Sequence, residues 1–211
     1  METTRPRILV CATGSVATIK VPELVALLAE FADVKVVCTT AGRHFLKEEQ
    51  LAEAARPILG DEQEWRMWRE KGDDVLHIEL RRWAQLLLVA PLSANSLAKI
   101  VHGLCDNLAT CIVRAWDFSR PMLVAPAMNT LMWDNPLTAQ QLEVLRSRGI
   151  KIIPPVAKTL ACGDTGMGAM ASPSDIVDAV YAALMRQQYN QSVQSLPDAG
   201  TVTASTDNER L

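Results

Sequence analysis

Three residues of different chemistry could carry a reaction, although each also has an ordinary packing role open to it: His77, Asn129 and Cys162. His77 lies in Val75-Leu-His-Ile-Glu79, just ahead of Leu80-Arg-Arg-Trp-Ala84. An imidazole can take or give a proton near neutrality, although a lone histidine in an apolar setting equally serves as a core or helix-cap group. Asn129 lies in Pro126-Ala-Met-Asn-Thr-Leu-Met-Trp133, a run without helical or strand alternation. Its amide can bind a carboxylate, and Met132 and Trp133 can close an apolar wall or simply pack in the core. Cys162 belongs to Leu160-Ala-Cys-Gly-Asp-Thr-Gly-Met-Gly-Ala-Met170, whose closely spaced glycines suit a mobile lid. A thiol near its ordinary pKa of about 8.5 is mostly protonated at neutral pH and can act as an acid toward a carbanion.

Two further segments have binding rather than reacting groups. Ala12-Thr-Gly-Ser-Val-Ala17 reads as a turn into a helix N-terminus, where free N–H groups and the dipole suit a phosphate. Gly14 admits close approach, and Ser15 adds a hydroxyl. The single glycine is not the GxGxxG fingerprint, so a mononucleotide is the better match; a plain capped turn is the competing reading. Thr39 and Thr40 can add hydroxyls to the same phosphate. Ala90-Pro-Leu-Ser-Ala-Asn95 can hydrogen-bond a flat heterocycle, or Ser93 can merely cap the next helix.

Composition narrows the classes. Of 211 residues, 49% are hydrophobic, and the net charge is -3 with no basic stripe, which disfavours a nucleic-acid surface. The most apolar runs, such as Leu86 to Leu92, are strand-length rather than the roughly 20 residues of a membrane span. Met1 to Arg7 has no hydrophobic signal region, so a cytoplasmic location is expected. The five cysteines are scattered, and no Cys/His set has zinc spacing, so neither disulfides nor a metal site is expected.

The elements that must position these residues alternate. Arg7 to Ala12, Val34 to Cys38, Gln85 to Ala90, Pro121 to Ala125 and Lys151 to Ile153 read as strands. Ile19 to Phe31, Ser93 to Val101, Asn107 to Ala115, the segment from Asn135 to Gly149, and Ser172 to about Gln188 read as helices. Asn135-Pro136 is an N-cap followed by proline at the first helical position, and Ser172-Pro-Ser-Asp175 resembles a capping box. Strands apolar on both faces, separated by helices, predict one α/β domain over residues 7–188: a single doubly wound parallel sheet of flavodoxin-like or Rossmann type. Residues 1–6 form a short extension, and the polar stretch 189–211 reads as a disordered tail. In such a fold, ligands bind beyond the carboxyl ends of the strands.

In order, Gly14-Ser-Val-Ala17, His77, Pro91-Leu-Ser-Ala-Asn95, Pro126-Ala-Met-Asn-Thr-Leu-Met-Trp133 and Ala161-Cys-Gly163 resemble the phosphopantothenoylcysteine decarboxylases. These belong to the flavin-dependent cysteine decarboxylase family, and the likeness is to their stand-alone eukaryotic type. It runs from about Arg7 to Val180. The resemblance implies flavin mononucleotide (FMN) as cofactor and a place in coenzyme A biosynthesis. The family oxidises the substrate thiol toward a thioaldehyde, releases CO2 to leave an enethiolate, and reduces that to 4′-phosphopantetheine.

By the same resemblance, His77 is an acid or base near the thiol and flavin, and Cys162 is the final proton donor. Asn129 binds the substrate carboxylate, with Thr159, Ala161 and Met170 also at the substrate. Gly14, Ser15, Val16, Ala17, Thr39, Thr40, Phe45, Ser93, Ala94, Asn95 and Ala127 lie around FMN. Family members are typically homotrimers with FMN near a subunit interface. This chain departs from its relatives in carrying Lys158 then Thr159, where two basic residues are common. Two other readings share the early motifs: an FMN-binding regulatory subunit of a phosphatase, and a peptidyl-cysteine decarboxylase.

Overall fold

A computed structural model describes residues 5–159, 163 and 165–194. The first strand, β1 (Arg7–Ala12), is buried from Ile8 onward. Its alternate side chains enter opposite layers: Ile8 and Val10 join one hydrophobic cluster, Leu9 and Cys11 the other. The remaining sheet strands are β2 (Asp33–Cys38), β3 (Leu86–Leu92), β4 (Met122–Pro126) and β5 (Lys151–Ile152). All pair in parallel, in the order β2-β1-β3-β4-β5. This is a doubly wound sheet whose strand order reverses between β1 and β3.

Helices cover both faces. On one side lie α1 (Val21–Ala29) and the long α9 (Pro173–Gln194), which pack together. On the other lie α4 (Leu76–Trp83), α5 (Ala94–His102), α6 (Leu108–Arg114) and α8 (Pro136–Ser147). Short α2 (Thr40–Arg43), α3 (Asp61–Met67) and α7 (Thr130–Asp134) decorate the loops. An antiparallel hairpin, β6 (Val156–Thr159) and β7 (Thr165–Ala169), stands apart from the sheet. Each fully buried Leu or Ile stabilises the layers by roughly 1.5–3 kcal/mol, so the two apolar faces dominate the energetics. Among the described residues, no helix is long and apolar enough to cross a membrane.

The sequence-expected strands and main helices are present, with differences at their ends. The helix expected from Ile19 opens as a 3-10 turn, Val16–Lys20, before α1. Asn135 caps α8 by accepting from Leu137 N–H at 2.9 Å. Ser172 caps α9 as expected, accepting from Asp175 N–H at 3.1 Å. Its hydroxyl donates to the Asp175 carboxylate at 2.6 Å, so this side-chain pair replaces the reciprocal backbone bond of a capping box. Helix α9 continues to Gln194, past the expected end near Gln188, because nothing there interrupts the helix. The rest of the expected tail lies outside the described residues.

Candidate active site

At the carboxyl ends of β1, β3 and β4 a cavity of about 570 Å³ opens. That size suits a cofactor or drug-sized ligand, which needs roughly 300–1,000 Å³. The turn after β1 contributes Gly14, Ser15, Val16 and Ala17, and the start of α5 contributes Ser93, Ala94 and Asn95. Phe45, Ala127 and Asn129 lie on other walls, with Thr159 and Met170 at the hairpin. The cavity therefore straddles the point where strand order reverses, where this sheet topology leaves a crevice.

A polar node that sequence reasoning missed joins the turn after β1 to the turn after β3. Thr13 is buried; its Oγ1 donates to the Pro91 carbonyl at 2.8 Å and accepts from Ser93 N–H at 2.8 Å. Ser93 in turn caps α5, accepting from Ser96 N–H at 3.3 Å. Ser15 caps the 3-10 turn, accepting from Ala17 N–H at 3.3 Å. Both capping readings are therefore correct, and both serines also line the cavity.

Asn129 caps α7 through Oδ1, which accepts from Leu131 N–H at 2.8 Å. The run around it is thus a tight turn entering one turn of helix, which explains its lack of alternation. Met132 lines the cavity, whereas Trp133 packs into the core. Of the glycine-rich segment expected as a loop, Thr165–Ala169 is β7, paired with β6 and laid against α7. Lys158 and Thr159 line the cavity from β6, and Thr159 Oγ1 meets Thr165 Oγ1 at 3.2 Å. Ala161 and Cys162 lie outside the described residues.

Three of the expected residues stand away from the cavity lining. Thr39 caps α2, accepting from Gly42 N–H at 3.2 Å, and Thr40 donates to Asp61 at 3.4 Å. His77, in the first turn of α4, is hydrogen-bonded through Nδ1 to Glu64 on α3. Cys111 completes a cluster in which the donor atoms of Glu64, His77 and Cys111 lie within 4.8 Å of one another. The Cys111 thiol donates to the Cys105 carbonyl at 3.2 Å. Burial first, and then the Glu64 carboxylate, push its pKa up to about 11, so it stays protonated.

Residues 1–185 match the family described as Flavoprotein. The chain belongs to the Flavoprotein family, among the phosphopantothenoylcysteine decarboxylases. A "Phosphopantothenoylcysteine decarboxylase" of Oryza sativa subsp. japonica is 51% identical over 196 residues, 93% of this chain and 89% of the relative. One from Mus musculus is 50% identical over 180 residues, 84% of this chain and 87% of the relative. Among solved structures, a cysteine-to-serine mutant of "PPC decarboxylase" complexed with pantothenoylaminoethenethiol superposes with a TM-score of 0.84. It is 52% identical, with 86% of this chain and 99% of that chain covered. "The FMN binding protein AtHal3" superposes with a TM-score of 0.80 at 54% identity, covering 84% and 96%.

The lining of this flavoprotein fits FMN. Ser15 and the N–H groups at the start of the 3-10 turn suit a phosphate. Ala94, Ala127, Met128 and Met132 give apolar walls for a flat ring, with the Ser93 corner for its polar edge.

Proposed function

We propose that this protein is an FMN-dependent decarboxylase that converts 4′-phosphopantothenoylcysteine to 4′-phosphopantetheine in coenzyme A biosynthesis. The observation that carries the reading is the placement of Asn129 and the β6–β7 hairpin over one cavity at the strand-order reversal. Relatives about half identical over most of their length, named for this reaction, support it.

FMN, when bound, supplies reversible hydride acceptance. The chain's own residues supply position and protons. Ser15, Val16 and the Ser93–Asn95 corner hold the cofactor, with Thr39 and Thr40 behind the Gly14 turn. Asn129 holds the substrate carboxylate, Thr159, Ala161 and Met170 line the substrate, and His77 takes the thiol proton. After CO2 leaves, the Cys162 thiol gives a proton to the carbon that bore the carboxylate. The catalytic domain occupies residues 7–188.

A homotrimer follows from the same reading. His77 does not line its own chain's cavity, and in this reading a neighbouring copy brings it there. Exposed Val16, Ile19 and Met132 line the cavity, exposed Leu131 neighbours Met132 on α7, and exposed Trp65, Met67 and Trp68 lie on or beside α3, close in sequence to Glu64. Two different apolar surfaces of this kind suit a head-to-tail contact that closes into a ring. A cytoplasmic location accords with the unpaired thiols of Cys11, Cys38, Cys105 and Cys111.

The test is CO2 release from phosphopantothenoylcysteine by the purified protein, whose visible spectrum should carry oxidised-flavin bands. No turnover by flavin-loaded protein would overturn the proposal. His77→Asn should stop the first oxidation with flavin retained, and Cys162→Ser should accumulate the enethiol. Sedimentation of a monomer at working concentration would sink the trimer.

A further inference from the structure

We infer that Glu64 is a positioning residue: its carboxylate holds the His77 ring with Nδ1 as donor and Nε2 as the outward-facing acceptor. The inference rests on the role of His77 proposed above and extends it to a residue that no spacing pattern marks. Nothing in Asp61-Glu-Gln-Glu64 marks it in the sequence.

The pair is built rather than incidental. Leu59 forms a one-residue parallel bridge to Val37, giving 2.8 Å to the Val36 carbonyl and accepting from Cys38 N–H at 2.9 Å. Helix α3 thus starts directly from the edge of the sheet. Its first residue, Asp61, accepts from Leu108 N–H at 2.7 Å at the start of α6. One turn later Glu64 meets His77, and its side chain is only 14% exposed against 25% for the histidine. Helix α4 is held at its other end by Arg120, which donates to the carbonyls of Arg81 and Ala84 at 3.1 and 2.8 Å. Two anchored helices therefore present the pair, and both side chains are largely removed from water.

A neutral imidazole has one N–H and one lone pair, and which nitrogen holds which is set by the partner. A carboxylate accepts only, so Glu64 demands the proton on Nδ1. The lone pair is then on Nε2, where it can take a proton from a thiol. Without that partner the ring samples both tautomers and other rotamers, and only part of the population is competent. Cys111 does not compete for Nδ1, because its own proton is committed to the Cys105 carbonyl.

The experiment uses the full chain loaded with FMN. With only three histidines, long-range ¹H–¹⁵N spectra of histidine-labelled protein can assign His77 by comparison with His77→Asn. Wild-type His77, when neutral, should show the Nδ1–H tautomer, and Glu64→Ala should shift it toward Nε2–H. In single turnover, Glu64→Ala should slow flavin bleaching by about 10- to 100-fold, by analogy with metal-bound histidines that lose the carboxylate orienting their ring. KM and flavin content should be unchanged, and Glu64→Gln should be intermediate. An Nε2–H tautomer in the wild-type protein overturns the inference without any variant, as does wild-type bleaching by Glu64→Ala. Normal bleaching by His77→Asn would instead defeat the proposed role of His77, leaving the wild-type tautomer to decide on Glu64.

Discussion

The Met128 N–H donates to the Gly168 carbonyl over 2.9 Å, stitching the turn that carries Asn129 to the second strand of the hairpin. Gly168 has φ +131, and a Cβ there would lie 2.3 Å from the Met128 carbonyl oxygen. A side chain cannot share that space with backbone, and the dihedral itself disfavours any residue but glycine. Gly168→Ala should therefore push β7 off the Asn129 turn at a cost of about 1–3 kcal/mol. Urea unfolding should show the loss, and kcat/KM should fall while the flavin spectrum is retained. Unchanged stability and unchanged kcat/KM would mean that the stitch does not organise the site.

Thr13 offers a separate test, on the cofactor side. Its buried hydroxyl satisfies both the Pro91 carbonyl and the Ser93 N–H. Thr13→Val keeps the volume but strands the Ser93 N–H at the corner that borders the cavity. An unsatisfied buried group costs about 1–3 kcal/mol, so stability should drop by that order. FMN affinity should weaken alongside, by about tenfold for each 1.4 kcal/mol that reaches the binding step. Thr13→Ser, which keeps the hydroxyl, should restore affinity as measured by flavin fluorescence quenching. Equal affinities for the two variants would remove the node from the binding site.

Alkaline pH should weaken the fold through its thiols. Burial raises the pKa of Cys38 to about 11 and that of Cys11 further still, with the Cys38 charge adding to the latter. Cys111 likewise stands at about 11. In each case the neutral thiol is the native form, and the unfolded chain releases its proton first as pH rises. The stabilisation is thus complete below the ordinary thiol pKa of about 8.5 and is lost as pH climbs through the raised values. The urea midpoint should be flat from neutrality to mildly alkaline pH and should then fall by pH 10.5. The fall should be shallower in Cys38→Ala, and an identical slope would rule out that thiol.

Much of this site was legible one segment at a time. Asn135-Pro136 and Ser172–Asp175 announce their helices because capping is local chemistry, and the apolar strands announce a two-sided parallel sheet. The order β2-β1-β3-β4-β5 is not local, and it brings the Gly14, Ser93 and Asn129 turns together. The hairpin was hidden because its glycines read as loop, whereas Gly168 serves a close backbone approach within a strand. Glu64 left no signal, since it meets His77 only after α3 is anchored to α6. His77, equally balanced between core and chemistry in the sequence, gains a built partner but stands outside its own cavity.

Asn129 carries two jobs that one substitution can separate. Its Oδ1 caps α7, and its proposed partner is the substrate carboxylate. Asn129→Asp preserves the first job, because an aspartate caps a helix about as well as an asparagine. It reverses the second by placing an anion where an anion must bind, and such like-charge juxtaposition costs several kcal/mol. Thermal stability and flavin content should therefore stay near wild type while kcat/KM falls by about a hundredfold or more, a loss of about 2.7 kcal/mol. Asn129→Ala loses the cap as well, and should be destabilised by about 0.5–2 kcal/mol. If Asn129→Asp turns over normally, the carboxylate is held elsewhere; if it unfolds, the residue is structural first.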